Sequence, residues 1–245
     1  MNPIEEFKKE RADAQKAMSK DRALKEKSLE WMLHADKYKY IYNFTWMGRP
    51  IIKFPQDIIA LQELIFKVKP DLIIETGIAH GGSIIFSASM LQLLGNNGKV
   101  IAVDIDIRSH NRAAIENHAM SKHITMLEGS STDPCILDQI KHFAKDYETI
   151  MVCLDSNHTH AHVLNELEIY SPLVSVGSYA VLPDTLIEFF PKGYYNDRPW
   201  DVGNNPYTAM IEFLKTNDSF VQDNEITDKL LVTEAYNGGF LKRIK

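Results

Sequence analysis

Two aspartates that follow apolar runs are the first candidates for chemistry. Asp155 closes the run TIMVCL, and Asp184 follows SYAVLP. Because the carboxyl ends of neighbouring parallel strands meet at one edge of a sheet, we expect the two carboxylates to lie side by side. Adjacent carboxylates repel unless they are protonated or bridged by a cation, and their hard oxygen atoms suit magnesium. His158, three residues beyond Asp155, is then a candidate general base near neutral pH, the alternative being a surface histidine beside two solvated acids.

A glycine-rich turn follows another apolar run. Residues 71–75 (DLIIE) predict a short strand, which leads into the stretch ETGIAHGGS at residues 75–83. Glycines let the backbone turn tightly, and the start of the following helix offers free N–H groups to an anionic part of a ligand. The spacing is neither the dinucleotide-binding GxGxxG nor the phosphate-binding GxxxxGK[ST]. The turn therefore favours a ligand site but disfavours a nicotinamide or ATP enzyme; a turn without a ligand is the alternative.

Acidic and small residues follow the next two apolar runs. Asp104 ends KVIAVD, and a carboxylate at this place can accept hydrogen bonds from ribose hydroxyls. Ser130 and Ser131 follow HITMLEG and are small enough to flank an adenine ring. Together with the glycine turn, these residues predict a cofactor that contains a nucleoside.

A histidine cluster supports a competing interpretation. His158, His160 and His162 stand at alternate positions, and several imidazoles close in sequence could bind zinc or iron. His158 and His162 would share one face of a helix. This pattern is typical of a metallohydrolase or a non-haem iron oxygenase, although the sequence offers no clear further ligands. The simpler interpretation makes His160 and His162 exposed residues of a first helical turn.

The elements that must position these residues alternate regularly along the chain. From residue 57 onward, five apolar runs typical of strands are separated by helical patterns. This order predicts an α/β fold with a doubly wound, mostly parallel, Rossmann-like sheet and helices on both faces. Residues 206–216 predict a further helix, and the strand-like pieces at residues 219–223 and 238–244 could add an antiparallel edge.

Two segments stand outside this alternation. Residues 3–33 are rich in Lys, Glu and Ala, with scattered apolar positions that predict one or two amphipathic helices. We assign residues 1–50 to an N-terminal helical arm, which could close over the site, pack on a partner subunit or lie solvated on the surface, and residues 51–245 to the domain. Residues 183–205 form a long segment rich in Gly, Pro, Asn, Asp and aromatic residues, and such loops are usually functional.

Composition excludes several classes of protein. The 245 residues are 44% hydrophobic and 24% charged, which fits a globular chain and not a disordered or collagen-like one. The net charge of −6 disfavours nucleic acid as the main partner. The sequence has neither a run of apolar residues long enough for a membrane span nor an apolar secretory signal at its charged N-terminus. Two cysteines without CxxC spacing fit reduced thiols, so we expect a cytoplasmic protein.

Longer stretches of the chain resemble a known group of enzymes. The chain is similar to the cephalosporin hydroxylase family and to macrolide-sugar and rhamnosyl O-methyltransferases, which have the class I S-adenosylmethionine-dependent methyltransferase fold. The stretches ETGIAHGGS (75–83) and DIDIR (104–108) are together the most specific part of the resemblance. Supporting stretches are NFTWMG (43–48), KFPQD (53–57), EGSS (128–131), DSNH (155–158), GNNP (203–206) and GGFLKR (238–243).

The resemblance implies a role for particular residues. It implies that His158 is the catalytic base and that magnesium is held by Asp155 and by a Glu-Asp pair after the fifth strand. In this sequence that pair reads Pro183-Asp184, so the first acid is replaced, and Asp155 and Asp184 are the expected metal ligands, with Glu188 or a water as a possible addition. The residues implied to bind S-adenosylmethionine are Glu75, Gly77, His80, Gly82, Ser83, Asp104, Ile105, Arg108, Ser130, Ser131 and Asp155.

The resulting prediction is an S-adenosylmethionine-dependent O-methyltransferase, assisted by a divalent cation, that forms a homo-oligomer. Its acceptor is expected to be a hydroxyl of a sugar or another small molecule. Four aromatic residues could form apolar walls around this acceptor, or could instead form a hydrophobic cluster that pins the long loop. They are Trp46, Tyr194, Tyr195 and Trp200. The alternatives are a metal oxygenase or metallohydrolase that uses the histidine cluster, and a non-catalytic binding protein with the same fold.

Overall fold

The structure is a computed structural model that describes residues 2–245; Met1, the first residue of the predicted arm, lies outside the described residues. The α-helices are α1 (Pro3–Lys20), α2 (Arg22–Asp36), α3 (Pro55–Val68), α4 (Gly82–Leu94), α5 (Ser109–Glu116), α6 (Pro134–Ala144), α7 (His160–Tyr170), α8 (Pro206–Thr216) and α9 (Asn224–Thr227). The strands are β1 (Thr45–Trp46), β2 (Arg49–Pro50), β3 (Leu72–Thr76), β4 (Lys99–Asp104), β5 (Ile124–Glu128), β6 (Ile150–Leu154), β7 (Tyr179–Val181), β8 (Phe220–Gln222) and β9 (Phe240–Arg243). Short 3₁₀ helices cover Tyr40–Asn43, Ser121–His123, Ser171–Leu173 and Thr185–Phe189.

Seven strands of the described chain form one sheet in the order β5-β4-β3-β6-β7-β9-β8. The first five in this order are parallel, whereas β9 runs antiparallel to both β7 and β8. The predicted doubly wound fold is therefore confirmed, and the two strand-like pieces of the tail form its antiparallel edge. The chain order reverses between β3 and β6, so a topological switch point lies beyond the carboxyl ends of these two strands.

The two central strands are buried on both faces. All five residues of β3 and all five of β6 are buried. Ile73 packs in one hydrophobic cluster with Phe86 of α4, while Ile74 packs in the other with Leu167 of α7. Because neighbouring side chains of a strand point to opposite faces, helices on both faces require a continuous apolar run in sequence.

Local signals set where the helices begin and end. Pro55, Pro134 and Pro206 stand at the first positions of α3, α6 and α8, where proline fits because its missing N–H has no helical partner. Gly95 ends α4 in a left-handed conformation with φ of 71°. Among residues 2–245, none of the helices combines the length and the apolar character that crossing a membrane requires.

The N-terminal region contains two helices that pack differently. Asp21 separates them and caps α2, since its carboxylate accepts a hydrogen bond from the Leu24 amide at 3.0 Å. Helix α1 buries none of its residues against the rest of this chain. Helix α2 instead buries Met32 in a cluster with Phe54 and Phe190. The arm therefore reaches the 183–205 segment through α2.

Candidate active site

A cleft of about 510 Å³ opens at the carboxyl ends of the central strands. Its lining includes the turn after β3, the residues after β6 and β7, and part of the 183–205 segment. A second cavity of about 320 Å³ adjoins it and shares Gly77, Asp104, Ser156 and Trp200 with the cleft. Both volumes lie in the range of small-molecule sites, so the two together can hold a cofactor and a second small molecule.

The glycine turn passes close to the end of β6. Gly77 has a φ of 89°, and a Cβ atom at this position would lie 1.9 Å from the carbonyl oxygen of Asp155. Only glycine therefore fits this crossing. Asp104 holds the turn from the other side, since its Oδ2 accepts hydrogen bonds from the amides of Ile78 at 2.8 Å and Ala79 at 3.2 Å. Its Oδ1 also accepts a hydrogen bond from the Asp106 amide at 3.2 Å. A carboxylate has about four lone-pair sites, so Asp104 keeps capacity for a further hydrogen bond, such as one from a ribose hydroxyl.

Two polar residues outside the strand ends hold the second half of the turn. Arg49 Nε donates to the carbonyl oxygen of His80 at 3.0 Å. Asn111 donates through Nδ2 to the carbonyl oxygen of Ala79 at 2.9 Å and accepts from Arg49 Nη2 at 3.0 Å. Ala79 has a φ of 45°, and these bonds maintain that rarely adopted backbone conformation. Sequence reasoning missed both residues, because an arginine and an asparagine outside the strand ends carry no local signal.

Glu75 and Ser83 form a buried pair below the turn. Glu75 is 2% exposed, and the Ser83 hydroxyl donates a hydrogen bond to its carboxylate. Burial raises the pKa of Glu75 to about 7, although the bond from Ser83 opposes the shift. The helix that follows begins at Gly82, where a Cβ atom would lie 2.1 Å from the carbonyl oxygen of Pro50.

Asp155, His158 and Asp184 converge at the floor of the cleft. Each offers one possible metal-ligand atom, and these atoms lie within 4.8 Å of one another. The Nε2 atom of His158 is 3.6 Å from Oδ2 of Asp184. Burial raises the pKa of the Asp184 carboxyl, and the neighbouring Asp155 raises it further. Two close carboxylates with this mutual repulsion have the chemistry of a cation site.

The backbone at Asp184 is in a sparsely populated conformation. Its φ is 60°, in the left-handed region that non-glycine residues rarely adopt. Strained residues of this kind persist where the surrounding structure holds them, and they cluster at functional sites. Asp184 lies three residues after the end of β7, and in this conformation its carboxylate lies beside Asp155, which follows β6.

Lys53 is a site residue that sequence reasoning missed. It is 2% exposed, and its ammonium lies 3.0 Å from Oδ2 of Asp155 and 3.3 Å from Oε2 of Glu234. Burial acts to lower the pKa of Lys53, but the carboxylates of Asp155 and Glu234 outweigh it and raise this pKa well above its usual value. A lysine inside the apolar run PIIKFP is the signal that could have found it.

A second buried acid continues this network. Asp57 accepts hydrogen bonds from the Glu234 amide at 2.9 Å and from the Thr233 hydroxyl. Burial raises the pKa of Asp57 to about 6. The segment before β9 is thereby fixed to the start of α3, and Glu234 is held beside Lys53.

The three histidines of the predicted metal cluster have different neighbours. His158 faces Asp184, whereas the Nε2 atom of His160 lies 3.2 Å from a carboxylate oxygen of Glu212. His162 lies on α7 and faces the second cavity. In residues 2–245, the one group of three or more His, Cys, Asp or Glu residues with ligand spacing is the one at the cleft floor. The interpretation of the histidines as a shared zinc or iron site is therefore wrong.

His162 belongs to a hydrogen-bonded network beside the second cavity. Its Nε2 atom is 3.1 Å from the Ser131 hydroxyl and 3.0 Å from the Ser156 hydroxyl. The Ser156 hydroxyl also donates to the buried carboxylate of Glu166 at 2.8 Å. His160 and His162 are thus partly buried and bonded, and not the exposed residues that the simpler interpretation predicted.

The residues expected near a nucleoside divide into two groups. Ser130, Ser131 and Ile105 line the second cavity, next to Asp104. Arg108 is exposed at the N-cap of α5, and among the described residues it does not belong to the lining of either cavity. Of these residues, all but Arg108 therefore lie at the second cavity, which adjoins the cleft.

Of the four aromatic residues predicted to surround the acceptor, two line the cleft and two pack elsewhere. Trp200 and Tyr195 line the cleft. Tyr194 stacks edge-on against Tyr195 and donates a hydrogen bond from its hydroxyl to Asp36 of α2 at 2.9 Å. Tyr194 therefore pins the loop to the arm, as the hydrophobic-cluster alternative proposed.

Trp46 lies away from the cleft. Its indole N–H donates to the Ser89 hydroxyl at 2.9 Å, and its ring meets Phe86 edge-on with centroids 4.9 Å apart. Both partners belong to α4, so Trp46 fastens β1 to that helix.

Comparisons with known proteins identify a family and similar folds. A family model described as rhamnosyl O-methyltransferase/CmcI matches residues 38–244. The rhamnosyl O-methyltransferase of Mycobacterium bovis is 32% identical over 203 residues, which cover 81% of this chain and 78% of that protein. The structure of CmcI described with Mg-SAM superposes with a TM-score of 0.58 at 18% identity, over 83% of this chain and 78% of that one. An O-methyltransferase from Bacillus cereus in complex with SAH gives a TM-score of 0.54 at 16% identity, over 89% of this chain and 91% of that one.

Proposed function

The chain belongs to the rhamnosyl O-methyltransferase/CmcI family, and on that premise we propose that it transfers the methyl group of S-adenosylmethionine to a hydroxyl group of a sugar. The observation that carries this proposal is the convergence of Asp155, His158 and Asp184 at the floor of a cleft whose rim is the glycine turn. A base and two acids are placed where a hydroxyl group could meet a methyl donor.

The glycine turn and the second cavity form the donor site. S-adenosylmethionine supplies an electrophilic methyl group when it is bound. Asp104 would accept a hydrogen bond from a ribose hydroxyl, while Ser130 and Ser131 would lie beside the adenine ring. The amino-acid end of the donor would lie against the turn at Gly77, near the buried Glu75 and Ser83. The shared lining of the two cavities supports this division.

His158 is the general base in this proposal. An alcohol is a poor nucleophile at neutral pH, so a positioned base that removes its proton answers a chemical need. Nε2 of His158 accepts the proton from the acceptor hydroxyl, and the oxygen then forms its bond to the methyl carbon as the bond from carbon to sulfur breaks. The carboxylate of Asp184, 3.6 Å away, stabilises the imidazolium that results.

Asp155 and Asp184 would hold a magnesium ion. The fit rests on the donor set, since two hard carboxylates converge and one of them has a raised pKa because of the other and of burial. A bound cation supplies positive charge beside the alkoxide that develops on the acceptor. Pro183 offers no side-chain ligand, so this site has fewer acidic ligands than the resemblance leads one to expect.

The proposal also names a methyl acceptor, an oligomeric state and a cellular location. We assign the acceptor to hydroxylated small molecules, with a sugar first, since Trp200 and Tyr195 give the cleft flat apolar walls. We also propose a homo-oligomer, because α1 exposes apolar side chains such as Ile4 and Phe7. A cytoplasmic location fits the free thiols of Cys135 and Cys153.

The test is incubation of the protein with methyl-labelled S-adenosylmethionine and a panel of glycosides, phenols and amines. We expect label on a sugar hydroxyl. The same panel with the His158→Ala variant is the matched control, and it should show much less label. Exclusive labelling of a phenol or an amine would contradict the proposed acceptor. Binding of the donor without consumption, over the whole panel, would instead support a non-catalytic binding protein.

A further inference from the structure

A positive side chain already lies against one of the proposed metal ligands. The Lys53 ammonium is 3.0 Å from Oδ2 of Asp155, at the distance of a charge-assisted hydrogen bond. The Lys53 side chain is 3% exposed, so its charge is withdrawn from water and depends on protein partners. Any cation that approaches Asp155 therefore meets an acid that already has a positively charged partner.

The two partners of Lys53 differ in their surroundings. Both partners line the cleft, but the side chain of Glu234 is 7% exposed whereas that of Asp155 is 22% exposed. Glu234 is fixed by the bond from its amide to Asp57. Lys53 can therefore keep one carboxylate partner when Asp155 turns toward another cation.

The charge pattern of the site agrees with such an exchange. Position 183 is a proline, so it contributes no negative charge to the cleft floor. The acids near Asp155 include Asp184 at the cleft floor, Glu234 and the buried Glu75, and the Lys53 ammonium contacts both Asp155 and Glu234. Because the Lys53 ammonium contacts Asp155, a divalent cation held by Asp155 and Asp184 must share Asp155 with this ammonium.

We propose that Lys53 is a positioning residue whose ammonium, held by Glu234, pairs with Asp155 when no metal is bound. The same ammonium competes with a divalent cation for the Asp155 carboxylate. The proposal rests on the proposed function only in taking Asp155 and Asp184 as the metal ligands. It predicts weak metal binding, set by the ammonium of Lys53 as well as by the ligands themselves.

The test measures the affinity for Mn²⁺, by the electron paramagnetic resonance signal of the free ion, in wild type, Lys53→Met and the double variant Lys53→Met/Glu234→Gln. The double variant removes one positive and one negative charge, so it separates the release of Asp155 from a change in net charge. We expect at least tenfold tighter Mn²⁺ binding in both variants. Asp184→Asn in each background should weaken this binding, which places the ion at the cleft floor.

Circular dichroism and thermal unfolding establish that each variant is folded. If Lys53→Met does not fold, the comparison of wild type with the double variant is the test. Unchanged or weaker Mn²⁺ affinity in the folded double variant would overturn the proposal, because a purely structural lysine predicts that result. The absence of Mn²⁺ binding in every protein would overturn it as well. Failure of the proposed function has a different signature, since it would show as no consumption of S-adenosylmethionine.

Discussion

The rings of His158 and Trp200 meet in a T-shaped contact, with centroids 4.6 Å apart and an angle of 77° between their planes. The guanidinium carbon of Arg198 lies 5.5 Å from the centroid of the Trp200 ring. Trp200 thus contacts both a guanidinium and an imidazole. The long segment after β7 therefore orients the proposed base as well as lining the cleft.

Replacement of Trp200 should slow the reaction. An aromatic pair contributes about 0.5–1.5 kcal/mol beyond its buried area. We expect Trp200→Ala to lower turnover roughly two- to tenfold, and Trp200→Phe, which keeps a ring, to lower it less. Turnover is measured with saturating S-adenosylmethionine, because Trp200 also lines the second cavity. Equal rates for wild type and Trp200→Ala would show that the contact does not orient the base.

Removal of the proposed base should affect chemistry and not donor binding. We expect His158→Ala to lower turnover by roughly 10²–10⁴-fold, the usual contribution of a general base. Calorimetry should show little change in the affinity for S-adenosylmethionine. His160→Ala is the matched control, because His160 turns toward Glu212 and should leave turnover close to that of wild type. A His158→Ala enzyme with full activity would remove the base from the mechanism.

Asp104 should contribute strongly to donor affinity. A hydrogen bond to a charged group contributes about 1.5–3 kcal/mol, so Asp104→Ala is expected to weaken binding about tenfold or more. Asp104→Asn keeps an oxygen that can accept the bonds from Ile78 and Ala79, so it should preserve the turn and weaken binding less. Calorimetric titration of the three proteins is the measurement. Identical affinities would place the ribose elsewhere.

The crossing of the glycine turn over β6 can be tested with a pair of matched variants. Gly77 and Gly177 have nearly the same φ, 89° and 87°, but a Cβ atom at Gly177 would meet no atom within 4 Å. Gly177→Ala should therefore cost only the left-handed backbone, about 1–2 kcal/mol. Gly77→Ala also collides with the Asp155 carbonyl, so it should destabilise the protein more and abolish donor binding. Urea unfolding of both variants checks the difference; similar losses would contradict the close approach.

The buried carboxyl of Glu75 should make stability depend on pH. Its folded pKa of about 7 lies above its ordinary value of 4.5, so between these pH values the folded state binds more protons than the unfolded chain. The free energy of unfolding should therefore fall as the pH rises from 4.5 to 7, by about 3 kcal/mol for this group.

Glu75→Gln removes this titration while it keeps the shape of the side chain. Urea unfolding at pH 5 and pH 7.5, without donor, should show a smaller difference for the variant than for wild type. Some dependence should persist, because Asp57, with a pKa of about 6, acts in the same direction. An unchanged difference between the two pH values would show that Glu75 does not titrate in this range.

The sequence predicts the fold and the floor of the cleft well because both follow from local patterns. Buried parallel strands require continuous apolar runs, and the residues after such runs must meet at one edge of the sheet. Asp155 and Asp184 are brought together in this way. Lys53 and Glu234 could not be predicted as a pair, because they are 181 positions apart and their burial is a property of tertiary packing.

The histidine cluster shows how a small shift in an element boundary changes a prediction. His158 and His162 share a helix face only if the helix includes both. Helix α7 begins at His160, after an extended residue at Thr159, so His158 lies before the helix and points elsewhere. Residue types also do not determine which way an aromatic side chain points. Trp46, a candidate for the acceptor site, turns toward α4.

The pairing of Lys53 with Glu234 has a consequence for the order of synthesis. A ribosome makes Lys53 long before Glu234, and nascent chains begin to fold from the N-terminal side. The strands β3 to β7 can therefore come together while the Lys53 ammonium still lacks one of its two carboxylates. The charge balance of the cleft is completed only when the segment before β9 has been made and β9 has paired with β7. The carboxylate pair around the Lys53 ammonium is thus completed by one of the last segments of the chain to be synthesised.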